Sequence, residues 1–455
     1  MNSAAAHSLT ESLSEYWCSA TFRKLPANAI RQAKRQLLDI VAVAVAGIEA
    51  DAAQACRQAL ADAGIGSGSS CVFGTDSALP PALAALVNGT AAHALELDGF
   101  GGGHAGAVVV PAVLAVAQTG RYSGEEVLTA IVAGFDVMSR VTEGAGGYRA
   151  HNDRGWHNTG TCGTFGAAAA VARLMGLDAM RFAAALGIAG TFTGGTWAYL
   201  ADGAMTKRVH SGKAAEAGVM AAFFARAGMT GPRFVLEAPW GGFFPTYCGA
   251  DARPERVLAK LGENFWIERS GIKPYACCRA IHSGIDALFD LMAAHSVTAA
   301  DIVKIEVHCD ETAIRQLGGR RIDTLLDAQL SLPYSLAVAA ATQRAGLAQY
   351  SPPNVEDSEV QRLMRATELI WDRALATGAS PTVRIALQDG RTLSRSVEFA
   401  KGAPENPLTD DELRAKALQL LELRLNRERA EALVRLADRI EASADAGEWI
   451  ALLRP

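Results

Sequence analysis

The sequence contains no run of about 18 uncharged apolar residues, the length a membrane-spanning helix requires. Its start, MNSAAAHSLTESLSEYW, lacks a basic segment followed by a long apolar one. These two absences lead us to expect a soluble, cytoplasmic protein. Cysteine is sparse: eight residues scattered through 455, without the regular spacing of a secreted disulfide framework, are expected as free buried thiols. A large charge of either sign is also missing. A net charge of -5 gives no general reason to bind nucleic acid or an acidic membrane, so the expected partner is a small molecule.

Several binding motifs are missing too. No GxxxxGK[ST] phosphate loop occurs. Gly101-Gly-Gly103-His-Ala-Gly106 satisfies GxGxxG literally and Gly160-Thr-Cys-Gly163-Thr-Phe-Gly166 comes near it, but neither follows a convincing strand inside a βαβ pattern. Such glycines are expected to serve close helix packing or backbone turns. Cys277 and Cys278 are adjacent rather than spaced as CxxC, which argues against zinc or an iron-sulfur cluster.

What is abundant is apolar and small. Half the residues are hydrophobic and 44 are glycine, a composition suited to tightly packed helices. A chain of 455 residues exceeds what one core usually supports, so two domains are expected, one inserted in the other. Helical signals run to about residue 265. Residues Ala27 to Ile48 follow Pro26, Ser123 and Glu126 form a capping box ahead of Ile131, Phe135 and Met138, Phe165 to Met175 stops at Gly176, and Asp178 caps the next helix. The texture then changes. A helix around Ile281 to Ala294 precedes Ile302 to His308, which alternates as a half-buried strand, and Thr382 to Leu387 with Thr392 to Phe399 flank the hairpin signal Asp389-Gly390. Helix returns from Leu408. The expected fold is mainly α: an all-helical domain over 1–267, a smaller α+β lid domain over 268–403, and C-terminal helices over 404–455 that complete the first domain.

Ionisable groups concentrate between His93 and Pro111, HALELDGFGGGHAGAVVVP, amid otherwise apolar sequence. Carboxylates and imidazoles brought together in such surroundings acquire the shifted proton affinities that proton transfer requires. Glu96, Asp98 and His104 could also supply metal ligands on residue type alone, but acid-base catalysis is the favoured reading. Three further islands carry polar groups. Gly155-Trp-His157-Asn-Thr159-Gly-Thr161 precedes the helix at Phe165, and reads either as a capped turn or as a carboxylate site at a helix start. Met205-Thr-Lys207-Arg208-Val-His210-Ser-Gly-Lys213 is a basic island that reads either as a solvated loop or as a substrate clamp. Lys273-Pro-Tyr275-Ala-Cys-Cys-Arg279-Ala-Ile-His282 opens the second domain as a junction or as further site residues.

Taken in order, HALELD, HAGAVVVPAVLAVA, WHNTGTCGTFGAAAAVARLMGLD, TKRVHSGKAAEAG, KPYACCRAIHSGIDAL, SLPYSLAVA and Pro404-Glu-Asn-Pro-Leu408 resemble the MmgE/PrpD family over nearly the whole chain. That family includes 2-methylcitrate dehydratases, cis-aconitate decarboxylases and iminodisuccinate epimerases. The resemblance implies a homodimeric enzyme acting on a small polycarboxylate without metal or cofactor. It maps an active-site acid onto Glu96 or Asp98, site histidines onto His104, His157 and His282, and a carboxylate-binding lysine onto Lys207; Thr161, Lys273 and Arg279 are further candidates for substrate binding. The sequence departs from the family where Gly99 and Phe100 follow Asp98 in place of polar residues, and where Ala105 replaces a proline. The resulting expectation is a hydro-lyase dehydrating a hydroxy-tricarboxylate such as 2-methylcitrate by acid-base catalysis. Its alternatives are an epimerase, isomerase or decarboxylase, or a non-catalytic binding homologue.

Overall fold

The computed structural model describes residues 7–455, which divide into two units. The first comprises the described residues up to Ala94 together with Asp98–Ser270 and Asp410–Pro455; the second comprises Leu95–Leu97 and Gly271–Thr409. Helix makes up 59% of the chain and strand 8%, so the protein is mainly α with a small mixed region. No helix among the described residues is long and apolar enough to cross a membrane.

The first unit is a bundle built around helix Ala105–Ala117, every residue of which is buried. Helices Pro81–His93, Gly124–Gly144 and Asn158–Leu174 pack against it, and Thr206–Arg226 packs against both Pro81–His93 and Asn158–Leu174. Small residues permit this density. A Cβ on Gly212 would fall 2.1 Å from the Leu86 carbonyl oxygen, and one on Gly89 would fall 2.8 Å from the Gly212 Cα. Helices Pro81–His93 and Thr206–Arg226 therefore meet backbone to backbone, and neither glycine tolerates a side chain there. Local sequence sets the ends: Ser123 and Glu126 form the full capping box of Gly124–Gly144, and the Asp178 carboxylate accepts from the Arg181 amide at the start of Ala179–Ala189.

One buried polar node ties this bundle to the segment that follows it. Arg140, fully buried, donates Nε to Asp136 Oδ2 at 2.6 Å, Nη1 to the carbonyls of Val257 and Ala259, and Nη2 to those of Lys260 and Asn264. Asp136 also accepts from the Trp17 indole at 3.2 Å. The guanidinium satisfies four backbone carbonyls in one place, as its fork of donors allows.

The second unit carries a four-stranded sheet in the order Thr367–Trp371, Ile302–Cys309, Thr382–Leu387, Thr392–Ser396. Ile302–Cys309 pairs antiparallel with Thr382–Leu387, aligning Ile305 with Ile385 and Val307 with Val383, while its other edge runs parallel to Thr367–Trp371. Helices His282–His295 and Leu332–Thr342 belong to the same unit.

Five local features differ from what the sequence leads one to expect. The Met205–Lys213 island is not a loop: its residues from Thr206 onward are helix, and Lys207 and Arg208 are buried. The helix expected at Phe165 begins seven residues earlier, at Asn158. Strand Thr367–Trp371 was not anticipated, because it follows helix Ser358–Ala366 with no turn residue between them. The last strand stops at Ser396 rather than Phe399, and a two-residue ribbon, Ser70–Cys71 with Ala78–Leu79, interrupts the helical unit.

Candidate active site

Three helix starts in the first unit supply the site. His104 is the N-cap of Ala105–Ala117, His157 is the N-cap of Asn158–Leu174, and Lys207 lies in the first turn of Thr206–Arg226. None of the three has a side-chain cap hydrogen bond, so their positive ends favour an anion rather than being quenched locally. His93, the last residue of Pro81–His93, completes the group; its carbonyl accepts from Arg208 Nη1 at 3.1 Å.

At the centre is Asp98, fully buried. One of its oxygens, Oδ2, accepts from His104 Nδ1 at 2.8 Å and from His93 Nδ1 at 3.0 Å. Burial pushes the Asp98 carboxyl up, but the two imidazoles, His104 first, outweigh that cost and hold it well below the usual carboxylate range. The carboxylate therefore stays ionised and fixes the Nδ1–H tautomer of both rings. With Nδ1 so engaged, Nε2 is the position at which either ring would take up or give a second proton. His104 Nε2 has no hydrogen-bond partner among the described residues, and its side chain keeps 13% exposure. His93 is fully buried; desolvation pulls its pKa down to about 3, so it is neutral near neutral pH.

The rings form a continuous cluster. His93 lies 4.4 Å from His104 and 6.0 Å from His157, centroid to centroid, and His157 lies 5.2 Å from His210. Desolvation holds His157 well below, and His210 below, the usual imidazole range, and the Lys207 charge pushes both the same way. His93, Asp98 and His104 place ligand-type atoms within 4.8 Å of one another and could hold a metal ion. The two Nδ1 atoms stand at hydrogen-bond lengths from Asp98, the geometry of imidazoles sharing protons with a carboxylate.

Glycine brings the loop to this geometry. Gly101, Gly102 and Gly103 all have positive φ, at 128°, 70° and 119°. Asn158 Nδ2 donates to the Gly102 carbonyl at 2.6 Å, and a Cβ on Gly103 would lie 2.6 Å from that same nitrogen. Gly99, anomalous against the family pattern, contributes backbone: its carbonyl lies 3.2 Å from His104 Nδ1. A Gly103→Ala variant is expected to lose about 1–3 kcal/mol of stability from the strained φ alone, read as a lowered denaturation midpoint.

The structure thus brings together Asp98, His104, His157 and Lys207 of the residues singled out in the sequence. Thr161 lies in the first turn of Asn158–Leu174, where its hydroxyl pairs with His151 Nε2 at 2.8 Å and approaches the His157 carbonyl at 3.5 Å. The Glu96 and Lys273 side chains, both in the second unit, form a buried ion pair at 3.2 Å. Lys273 Nζ also donates to the Glu96 carbonyl at 3.0 Å, holding Glu96 at φ 54°, a strained value for a residue with a side chain. His282 and Arg279 also lie in that unit, where His282 Nε2 donates to the Cys277 carbonyl at 3.3 Å. Two cluster members had not been singled out. His93 stood in the charged stretch without a role, and His210 was hidden in the basic island; its spacing three residues after Lys207 would have signalled a shared helix face.

A buried carboxylate gripping two imidazoles, beside a lysine and three open helix starts, defines an acid-base centre suited to a small polyanion. Residues 11–255 match the MmgE/PrpD N-terminal domain and residues 275–442 the MmgE/PrpD C-terminal domain, so the chain belongs to the MmgE/PrpD family and is an enzyme of that family. Its relatives include a cis-aconitate decarboxylase-like protein, oryM, of Aspergillus oryzae, 30% identical over 94% of each chain. A cis-aconitate decarboxylase of Aspergillus terreus is 29% identical over 89% of this chain and 87% of its own. That of Mus musculus is 25% identical over 98% and 93%.

Proposed function

We propose that this enzyme is a lyase that decarboxylates an unsaturated tricarboxylate of the cis-aconitate type. The relatives favour this over the dehydration of a hydroxy-tricarboxylate such as 2-methylcitrate, which the sequence reading put first. The observation that carries it is the Asp98–His104 pair: a buried carboxylate that fixes an imidazole whose Nε2 remains available.

Decarboxylation of such an alkene breaks the bond to one carboxylate. That electron pair forms a new double bond, the old double bond shifts its electrons to the far alkene carbon, and that carbon takes up a proton as carbon dioxide leaves. One proton is consumed for each carbon dioxide released. His104, protonated at Nε2 and paired through Nδ1 with ionised Asp98, is the donor; Asp98 stabilises its imidazolium form. Lys207 and the open helix ends at His104 and His157 hold the substrate carboxylates that remain. A homodimer, on the family resemblance, and a cytoplasmic setting, in keeping with eight free thiols, belong to the same proposal.

The test is proton NMR of cis-aconitate and related di- and tricarboxylates in deuterated water. We expect an unsaturated dicarboxylate carrying one deuterium per carbon dioxide released. Gain or loss of water without carbon dioxide, or turnover of none of these acids, would sink the proposal. Lys207→Ala should raise KM for the tricarboxylate about 10- to 100-fold, the loss of one charge-assisted contact.

A further inference from the structure

His157 and His210 face each other through the same atom type. Their Nδ1 atoms lie 2.9 Å apart, a hydrogen-bond length, so one nitrogen carries a proton and the other accepts it. The two neutral rings must therefore hold opposite tautomers. Whichever ring accepts at Nδ1 carries its proton on Nε2, and whichever donates presents a bare Nε2.

We propose that His210 is the donor and acts as a positioning residue, locking His157 in the Nε2–H tautomer so that His157 offers a hydrogen bond to a substrate carboxylate. This rests on the tricarboxylate reading above.

Three observations set the direction. His157 is 1% exposed whereas His210 is only half-buried, so the bare Nε2 left on the donating ring can be met by water on His210 but not on His157. The His157 backbone is itself fixed, its amide donating to the Gly195 carbonyl at 3.0 Å, and its ring sits edge-on to Trp197 at 5.1 Å, so the ring cannot turn freely to another partner. Third, His157 Nε2 has no hydrogen-bond partner among the described residues, while the Lys207 charge acts on the ring from nearby. A bare Nε2 there would turn a lone pair toward an anionic ligand. An Nε2–H turns a donor toward it.

His210 is held for the task by its helix. It lies three residues after Lys207 on Thr206–Arg226, so the residue that fixes the tautomer and the lysine that attracts the anion share one helix face. Gly195, at φ 122°, passes close enough that a Cβ there would sit 3.2 Å from His210 Nδ1, so a side chain at that position would crowd the contact.

The deciding measurement is long-range proton-nitrogen NMR of the full chain labelled with 15N-histidine, assigned with single-histidine variants and recorded without ligand. We expect His157 to show a bare Nδ1 and a protonated Nε2, and His210 the reverse; a bare Nε2 on His157 would overturn the proposal whatever the enzyme turns over. His210→Phe removes the donor at similar volume and should raise KM for cis-aconitate about 10- to 100-fold with a smaller change in kcat. His210→Asn, which can still donate, should restore most of the loss. Equal loss in both variants would overturn the tautomer argument. The expected tautomers in an enzyme that turns over no tricarboxylate would uphold the role of His210 and refute the substrate reading.

Discussion

His104→Asn should lower kcat for the proposed tricarboxylate decarboxylation by about 10²- to 10⁴-fold while KM changes little, because on that proposal the ring supplies the transferred proton and the helix starts and Lys207 supply the binding. Asp98→Asn should be nearly as damaging for a different reason. The amide removes the charge that favours the imidazolium, and its Nδ2 can face His104 as a donor, which selects the wrong tautomer. Circular dichroism and the denaturation midpoint should stay close to wild type for His104→Asn, whose side chain is partly exposed. The double variant should be little worse than the worse single one, since the two residues act as a unit. Additive losses would show that Asp98 has a separate role.

Arg140→Met should be the most destabilising single change in the helical unit, by about 3–5 kcal/mol, read from urea denaturation. Removing one member of a buried ion pair leaves the other uncompensated. Here Asp136 would remain 1% exposed with only weaker partners, and the carbonyls of Val257, Ala259, Lys260 and Asn264 would lose their shared donor. Asp136→Asn should cost less, because burial already pushes that carboxyl upward and a neutral amide keeps the size and an acceptor. Arg427→Ala serves as the control: the Arg427–Glu431 pair is exposed at 79% and 46%, and its loss should cost below about 0.5 kcal/mol. Comparable losses at Arg140 and Arg427 would refute the view that the buried node anchors residues 257–264.

The parts of this fold legible in the sequence are those that local chemistry decides. Ser123 and Glu126 mark a helix start because both halves of the capping box lie within four residues, and Asp389-Gly390 marks a hairpin because Gly390 supplies the positive φ, 88°, that the turn uses. Thr367–Trp371 was invisible for the opposite reason. Its pairing partner lies some 60 residues earlier in the chain, and its own five residues continue the pattern of the preceding helix. The candidate site divides the same way. Asp98 and His104 stand out because they are six residues apart in apolar sequence, whereas the burial of Lys207 depends on how closely two distant glycines let their helices approach, which no local pattern reveals.

That approach, Gly212 against Leu86 and Gly89, has a consequence for how the enzyme can diversify. Where two helices touch through their main chains, their spacing is independent of the identity of nearby side chains. The ends bearing His93, Lys207 and His210 keep their separation while residues such as Gly99 and Phe100 are exchanged. A substitution in that short loop can thus change the chain beside His104 without moving those helix ends, whereas a side chain at Gly89 or Gly212 would force them apart.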